Sequence, residues 1–399
     1  MSVVKQTDYL IIGAGIIGLT TAYYLQQKYP HKSILIIDKE NDIAQHASGR
    51  NSGVLHAGLY YASDSLRAKF CVSGAQKIRE YSLLNDITLN QCGKVIVAAN
   101  ESEIAPLKTL FQQALANGVN ARLVDEQELA VIEPTAKTTQ WAIYSPDTAS
   151  FDAKSICSQL KTDLSQLGVK FSFNCKFEKS VNDHCIRTNQ SLIEYETLIN
   201  CAGMYADKIA QHYGLIENYT LIPFKGIFLY CEDLIGNYTK HIYPLPDQKI
   251  KLLGSHFSPE FNGRIKIGPT AVPCLSRENY RWLSNLRYSE MQEILKVEFK
   301  LLMSNQFNFR DLAFAELKKQ SKAGLIKNSQ HLVKDIQQFR FTNWGVTGIQ
   351  PRLYDIKNQT IMDDFLISKV HNSLHIVNSV SPAFSASFAF SEHLVASYL

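Results

Sequence analysis

Residues 9–38 read YLIIGAGIIGLTTAYYLQQKYPHKSILIID, and the order of residue types along them decides the fold. Residues 9–12 are a short apolar run suited to a strand buried on both faces. Gly13, Ala14, Gly15, Ile16, Ile17 and Gly18 follow directly, and a helical stretch then runs to about Lys28, stopping before Pro30. Residues 33–37 form the next apolar run, which ends at Asp38, 20 residues beyond Gly18. Strand, glycine turn, helix, strand and acid in this order make a dinucleotide-binding unit. Gly13 permits the tight turn, Gly15 lets backbone approach a pyrophosphate, and Gly18 lets helix and strand pack closely. Ala14 and Ile17 fall within the cradle, where helix amides and dipole meet phosphate. Asp38, with Lys39 beside it, is set to accept hydrogen bonds from an adenosine ribose. Residues 9–25 also look like a signal-peptide core or a short membrane span. They are short for a span and lack an A-x-A cleavage site, and the nucleotide unit accounts for all their features together. No other stretch reads as a transmembrane helix.

The remainder of the 399 residues allows two domains or one large elaborated one. With 45% hydrophobic and 20% charged residues, disordered and fibrous classes are excluded. The net charge of +4 is small and the basic residues are scattered, which argues against nucleic acid as a partner. Mild basicity is compatible with peripheral contact at the inner face of a membrane. The eight cysteines are widely spaced, with no CxxC pair and no Cys/His metal spacing, so they read as reduced, mostly buried thiols of a cytoplasmic protein, and no metal site is expected.

The glycine fingerprint alone does not separate NAD from FAD. Residues 48–61, SGRNSGVLHAGLYY, bear on that choice. They have neither a helical period nor a strand alternation, and they begin ten residues after Asp38. In FAD enzymes a small-residue loop after the second strand must accommodate the far phosphate and the flavin. Ser48, Arg50, Asn51 and Ser52 suit that loop, with Arg50 facing phosphate and Asn51 and Ser52 bonding ribityl or pyrophosphate oxygens. His56, Tyr60 and Tyr61 would then lie toward the isoalloxazine.

GAGIIG, D-K-E, SGRNSGVLHAGLYY and SLRAKFCVSG together resemble the D-amino-acid-oxidase-type FAD oxidoreductases, most of all their L-2-hydroxyglutarate oxidase/dehydrogenase branch. The resemblance continues through CGKVIVA (92–98), LINCAG (198–203), PFKG (223–226), IYPLPD (242–247), LGSHFS (253–258), IGPTAV (267–272), GIQPR (348–352) and MDDF (362–365). It implies an α/β fold, α+β overall: a Rossmann-like FAD-binding domain of the glutathione-reductase-like type with an antiparallel-sheet substrate domain. The FAD-binding domain is expected from residues 1–85, 145–220 and 340–399, and the substrate domain from 86–144 and 221–339. Strands are expected at 94–98, 225–230, 251–257 and 264–268, and a helix near 288–303. A helix around 153–167 leads into one strand at 170–177. Within this pattern Phe177 falls where a backbone contact to adenine is usual. Cys201, Ala202 and Gly203 let backbone pass near the adenosine, although locally they read equally well as a strand-to-turn junction. Residues 374–387 read as strand, small-residue turn and helix; Ser379, Ser381 and Ala383 bring that helix start to the flavin's pyrimidine side. The charge cluster 316–322 reads as a solvated helix face.

The chemistry implied is oxidation of a 2-hydroxy acid, L-2-hydroxyglutarate to 2-oxoglutarate in the closest branch. A base takes the hydroxyl proton, hydride leaves C2 for flavin N5, and cations hold the carboxylates. His56 and His256 are the candidate bases, His256 at the end of a strand over 251–255 in a Gly-x-His-x-Thr-like motif where Ser258 replaces Thr. Lys225 and Arg352 are the candidate carboxylate cations, and Tyr61 and Tyr243, with Tyr60, candidate walls. In GIQPR, Gln350 stands where the branch usually has Arg. If 348–352 is extended, Gln350 and Arg352 face one side, and Arg352 in part supplies the missing charge. An amine, amino-acid or glycerol-3-phosphate oxidase is the alternative enzyme class, and a silent FAD-binding partner protein the non-enzymatic one. Quinone and dioxygen both remain as electron acceptors.

Overall fold

The computed structural model describes residues 4–232, 238–246, 254–281 and 284–399. Val4–Ile12 and Ile34–Ile37 pair in parallel, with Ile11 opposite Ile36, and helix Ile16–Lys28 connects them. That helix is apolar on most of its surface, and Ile16, Leu19, Ala22 and Leu25 are buried. It needs cover on several sides, which comes from helices Ala153–Gln166 and Ala383–Tyr398 packed beside it. The sheet runs Leu366–Val370, Ser373–Asn378, Leu192–Asn200, Val4–Ile12, Ile34–Ile37, Lys170–Ser172, parallel throughout except for the first strand. A hairpin, Phe177–Asn182 with Cys185–Thr188, extends it antiparallel along the first half of Leu192–Asn200. Open parallel sheets bind ligands beyond their carboxyl ends, here at Ile12, Ile37, Asn200 and Asn378.

The expected single strand at 170–177 is two strands. The chain breaks after Ser172 because Asn174 adopts a left-handed conformation (φ +53°), which Asn tolerates better than most residues. Asn174 N then donates to Glu40 O (2.7 Å) and Cys175 N to Asp38 O (2.8 Å), so the turn folds over the loop that carries Asp38.

Two large sheets stand where one antiparallel sheet was expected, and a third, small antiparallel one joins Val54–Leu55, Ala149–Phe151 and Leu89–Asn90. The larger runs Phe341–Trp344, Leu229–Cys231, Ile265–Gly268, His256–Pro259, His241–Pro244, Lys94–Val97, Trp141–Ser145, Arg122–Asp125. It is mixed, because His241–Pro244 pairs in parallel with Lys94–Val97. The smaller, Val272–Pro273, Tyr219–Gly226, Gly348–Asp355 and Thr360–Ile361, is antiparallel. The run expected as a strand at 225–230 divides between them: Tyr219–Gly226 lies in the smaller and Leu229–Cys231 in the larger. Of the expected strand at 251–257, residues 251–253 lie outside the described residues; the strand seen begins at His256, so this histidine opens a strand rather than closing one. Residues 341–361 also belong to these two sheets, and the C-terminal contribution to the parallel sheet starts at Leu366. Local alternation identifies a strand but not its partner, and these differences follow from that.

Helix Tyr288–Ser304 buries Val297 and Leu301 against Ile222, Phe224 and Tyr354 of the smaller sheet. The 316–322 cluster is not uniformly solvated. Glu316 and Lys319 are buried as an ion pair (2.6 Å), and Glu316 Oε2 also accepts Ala271 N (2.6 Å), which gives the buried carboxylate a second partner. All eight cysteines are buried. Among the described residues no helix is long and apolar enough to cross a membrane.

Candidate active site

A cavity of about 1040 Å³ lies beyond the carboxyl ends of the parallel sheet and reaches to the other sheets. At one end its wall is main chain. Gly13 has φ +110°, and a Cβ there would lie 2.4 Å from Cys201 O; a Cβ on Gly15 would meet Ser48 Oγ at 3.0 Å. A Cβ on Gly18 would fall 2.0 Å from Gly13 O, so Gly18 acts in packing helix against turn. Gly13, Gly15, Ile17 and Asp38 line the cavity, whereas Ala14 and Gly18 do not. Ala14 N donates to Asp38 Oδ2 (2.7 Å) and Glu40 N to Asp38 Oδ1 (2.9 Å), which orients this carboxylate at the cavity edge.

Ser48 Oγ accepts Ile16 N (2.9 Å) and so fastens the 48–53 loop to the first turn of the helix. Asn51 also lines the cavity. Its amide donates to Ser48 O (2.7 Å) and accepts Gly53 N (2.8 Å), so both ends shape the loop itself. Arg50 lines the cavity, but its guanidinium is held by Gln45 O (2.8 Å) and Thr347 O (3.3 Å) over the ring of Tyr280. Lys39 is paired with Glu278 (2.5 Å) and Glu40. Its ammonium also lies 3.1 Å from His46 Nε2. It therefore stands among Glu40, His46 and Glu278, the tightest grouping of metal-type ligand atoms in the described residues. Ser52, Phe177, Cys201, Ala202, Gly203, Ser379, Ser381 and Ala383 complete this end. Helix Ala383–Tyr398 begins there without a side-chain cap, so its first amides face the cavity region.

The other end is walled by side chains: His56, Tyr60, Tyr61, Tyr243 and His256. His256 Nδ1 lies 3.1 Å from Gly254 O, which can only accept, so the proton sits on Nδ1 and the Nε2 lone pair is free. Nε2 is buried without a partner, and the ring stacks on Tyr243 at 3.7 Å. Burial holds the His256 pKa at about 3, with nearby Lys94 and Lys266 adding to the shift. His56 is anchored by its own N to Ser385 Oγ (3.0 Å), and its Nδ1 has no partner. Desolvation first, then Lys94 and His256, push its pKa well below the ordinary histidine value. Both rings are therefore neutral proton acceptors near pH 7.

Gln350 and Arg352 both line the cavity from strand Gly348–Asp355, and so do Gly348, Ile349 and Pro351 between and before them, so this edge of the strand meets the cavity without alternation. Arg352 is buried, 3.7 Å from Asp363, and desolvation pulls its pKa down. Lys225 is a correction. It does not line the cavity although Phe224 and Gly226 do, and its ammonium donates to Asn279 Oδ1 (3.1 Å). Successive strand residues point to opposite faces, which separates Lys225 from its neighbours.

A family model described as FAD dependent oxidoreductase matches residues 8–396. The chain belongs to the FAD-dependent oxidoreductases. It is 32% identical over 405 residues to the mouse mitochondrial L-2-hydroxyglutarate dehydrogenase, covering 95% of this chain and 86% of that protein. With the Escherichia coli K12 L-2-hydroxyglutarate dehydrogenase it shares 30% identity over 97% of this chain and 92% of the relative. Among solved structures, the FAD-bound L-alpha-glycerophosphate oxidase of Mycoplasma pneumoniae superposes with a TM-score of 0.77 at 21% identity, covering 98% and 94% of the two chains. Glycine oxidase of Geobacillus kaustophilus gives 0.70 at 17%, again over 98% and 94%.

The cavity of this FAD-dependent oxidoreductase fits its cofactor. Glycines whose Cβ atoms would fill the cradle, two helix starts and an oriented Asp38 suit a dinucleotide, and the loop with Ser48 and Ser52 continues toward the histidine wall.

Three side chains at the far end escaped the sequence reading. Arg67 lines the cavity, sits over Tyr61 (5.1 Å) and donates to Ser381 O (3.4 Å). Its helix, Leu66–Leu84, is held at its start by Asp364, which accepts Leu66 N and Arg67 N (2.7 and 3.0 Å). The SLRAKFCVSG run was on view, but nothing local marks its arginine as facing a site. Lys94 is fully buried in the CGKVIVA strand, with no hydrogen-bond partner for Nζ. The ammonium instead faces the rings of Tyr243 (4.1 Å) and Tyr60 (5.1 Å), and burial lowers its pKa to about 7. His241, also fully buried, bonds Ser150 Oγ (3.1 Å) behind the wall. A lysine within an apolar strand carries no local signal of such a setting.

Proposed function

We propose that the protein oxidises L-2-hydroxyglutarate to 2-oxoglutarate. The observation carrying this reading is the side-chain end of the cavity, where two buried-edge arginines, Arg67 and Arg352, accompany two neutral histidines with unpartnered ring nitrogens. The relatives bearing the L-2-hydroxyglutarate dehydrogenase name, matched over nearly the whole chain, support the same substrate. Bound in the cavity, FAD supplies the acceptor for the hydride from C2.

Arg352 and Arg67 hold the carboxylates, each through charge-assisted hydrogen bonds. Gln350 adds a neutral donor or acceptor. His256 Nε2, its tautomer set by Gly254 O, takes the hydroxyl proton, and His56 beside it bonds the same oxygen. Tyr60, Tyr61 and Tyr243 exclude water. Burial keeps both histidines neutral, and Lys94 behind Tyr243 adds to this by opposing a second positive charge nearby.

Anaerobic titration of the purified flavoprotein tests the reading. L-2-hydroxyglutarate is expected to bleach the flavin band with release of 2-oxoglutarate. D-2-hydroxyglutarate, glycerol 3-phosphate, glycine and L-amino acids are expected to leave it oxidised. Bleaching by one of those compounds and not by L-2-hydroxyglutarate would overturn it.

A further inference from the structure

Asp363 and Asp364 are neighbours in the chain, and each serves a different cation of the cavity. Asp363 forms an ion pair with Arg352 (3.7 Å). Asp364 accepts the first two amides of helix Leu66–Leu84, Leu66 N on Oδ2 (2.7 Å) and Arg67 N on Oδ1 (3.0 Å). It therefore fixes the main chain from which Arg67 reaches the cavity. Both acids and both arginines line that cavity.

The dipeptide is itself clamped. Asn378, buried at the end of strand Ser373–Asn378, donates its side-chain amide to Met362 O (3.2 Å) and Asp364 O (2.7 Å), on either side of Asp363. Met362 N donates to Leu353 O (2.8 Å), which ties the same stretch to the residue after Arg352. Phe365 N donates to Asp364 Oδ1 (2.8 Å), and the Phe365 ring stacks on Phe390 (4.5 Å).

Two long, flexible cations of one sign do not hold a fixed spacing unaided. Burial pulls the Arg352 pKa down; Asp363 opposes this, and the charge of Arg67 adds to the lowering. The guanidinium of Arg67 lies over Tyr61 (5.1 Å), and its Nε is buried without a partner. One rigid dipeptide thus connects the guanidinium of Arg352 to the main chain of Arg67.

We propose that Asp363 and Asp364 set the separation of the two carboxylate-binding arginines and so select the chain length of the hydroxy diacid. Asp363 is a positioning residue that acts through Arg352, and Asp364 acts through the helix start that carries Arg67. The inference rests on the reading of the cavity as a 2-hydroxy diacid site, and it names the residues that measure the distance between the two carboxylates. A diacid one methylene too short or too long satisfies one arginine and leaves the bond to the other stretched or unmade.

Anaerobic reduction of the FAD-loaded protein by L-malate, L-2-hydroxyglutarate and L-2-hydroxyadipate tests it, with L-2-hydroxybutyrate as the monoacid. The readout is the reduction rate constant divided by the apparent Kd. The native protein should favour L-2-hydroxyglutarate over the other two diacids by about tenfold or more. Asp363→Asn removes the charge at constant size and should flatten that preference to about threefold or less. Asp363→Glu keeps the charge and lengthens the link by one methylene, so it should move the preference toward L-2-hydroxyadipate. Unaltered flavin spectra and thermal unfolding show that the fold is kept. If Asp363→Asn does not fold, the Asp363→Glu shift decides. Equal losses on all four acids would assign Asp363 a purely structural role and overturn the inference. Unchanged diacid ratios in the variants, or a native protein indifferent to chain length, would do the same. Failure of all three diacids to bleach the native flavin overturns the diacid reading itself, and this inference with it.

Discussion

At the nucleotide end of the cavity the decisive surfaces are main chain: Gly13 against Cys201 O, the first turn at Ile16 held by Ser48, and Asp38 oriented by the Ala14 and Glu40 amides. At the opposite end they are side chains from segments hundreds of residues apart: His56 and Arg67 near the N-terminus, Tyr243 and His256 in the larger sheet, Arg352 in the smaller. The first end suits the FAD of its family, so it depends on absence of side chains. The second must distinguish one small molecule from another, so it depends on which charges and ring nitrogens are left without partners. That contrast predicts that added atoms at Gly13 displace the cofactor, whereas side chains of the second kind can be exchanged with the fold intact.

Substitution at the two ends should separate cleanly. The largest effect is expected at Gly13→Val, where the clash is with backbone and φ is positive: the protein should purify without flavin, read from the visible spectrum. Retention of full yellow colour would show that the cradle is not where FAD sits. Next comes His256→Ala, which should keep FAD but slow anaerobic flavin reduction about 10²–10⁴-fold in stopped flow. Loss of flavin in this variant would mean that the two ends are not independent.

Arg67→Met and Arg352→Met should each raise KM for the hydroxy diacid about 10- to 100-fold, the range for a lost charge-assisted hydrogen bond, with less effect on kcat. A 2-hydroxy monoacid should feel only one of the two losses.

The smallest change concerns pH. The bases are neutral above their depressed pKa values, so the acid limb of flavin reduction should lie well below 6.5 in the native protein. Lys94→Met removes a repelling charge, so that limb should move up, by about one unit or less. Stability supplies a second readout. Lys94 has a folded pKa of about 7 against the ordinary 10.5, so the unfolded chain holds more protons between these values and native stability falls as pH drops from 10.5 to 7. The gain in Tm of Lys94→Met should therefore be greatest at and below pH 7 and fade toward pH 10.5.

The glycine turn, its helix and Asp38 were legible because their requirements are local: a positive φ, a close backbone approach and an acid at a fixed distance along the chain all appear in adjacent letters. GIQPR was legible in part: Pro351 favours extension and the stretch is a strand, but Ile349 and Pro351 line the cavity along with Gln350 and Arg352, so period two does not select between them. Lys225 was misplaced by the same kind of argument, because a motif names a residue without saying which face of its strand meets the ligand.

Sequence alone determined the nucleotide-binding unit, the cofactor class and the two histidines worth watching, because steric permission and hydrogen-bonding capacity belong to residue types. Only the tertiary structure decided which cation reaches the cavity, that Arg67 joins Arg352 beside Tyr61, and that Lys94 lies unpartnered behind Tyr243. Those properties depend on desolvation and on long-range strand pairing, such as Lys94–Val97 beside His241–Pro244, and neither is a property of any single stretch of chain.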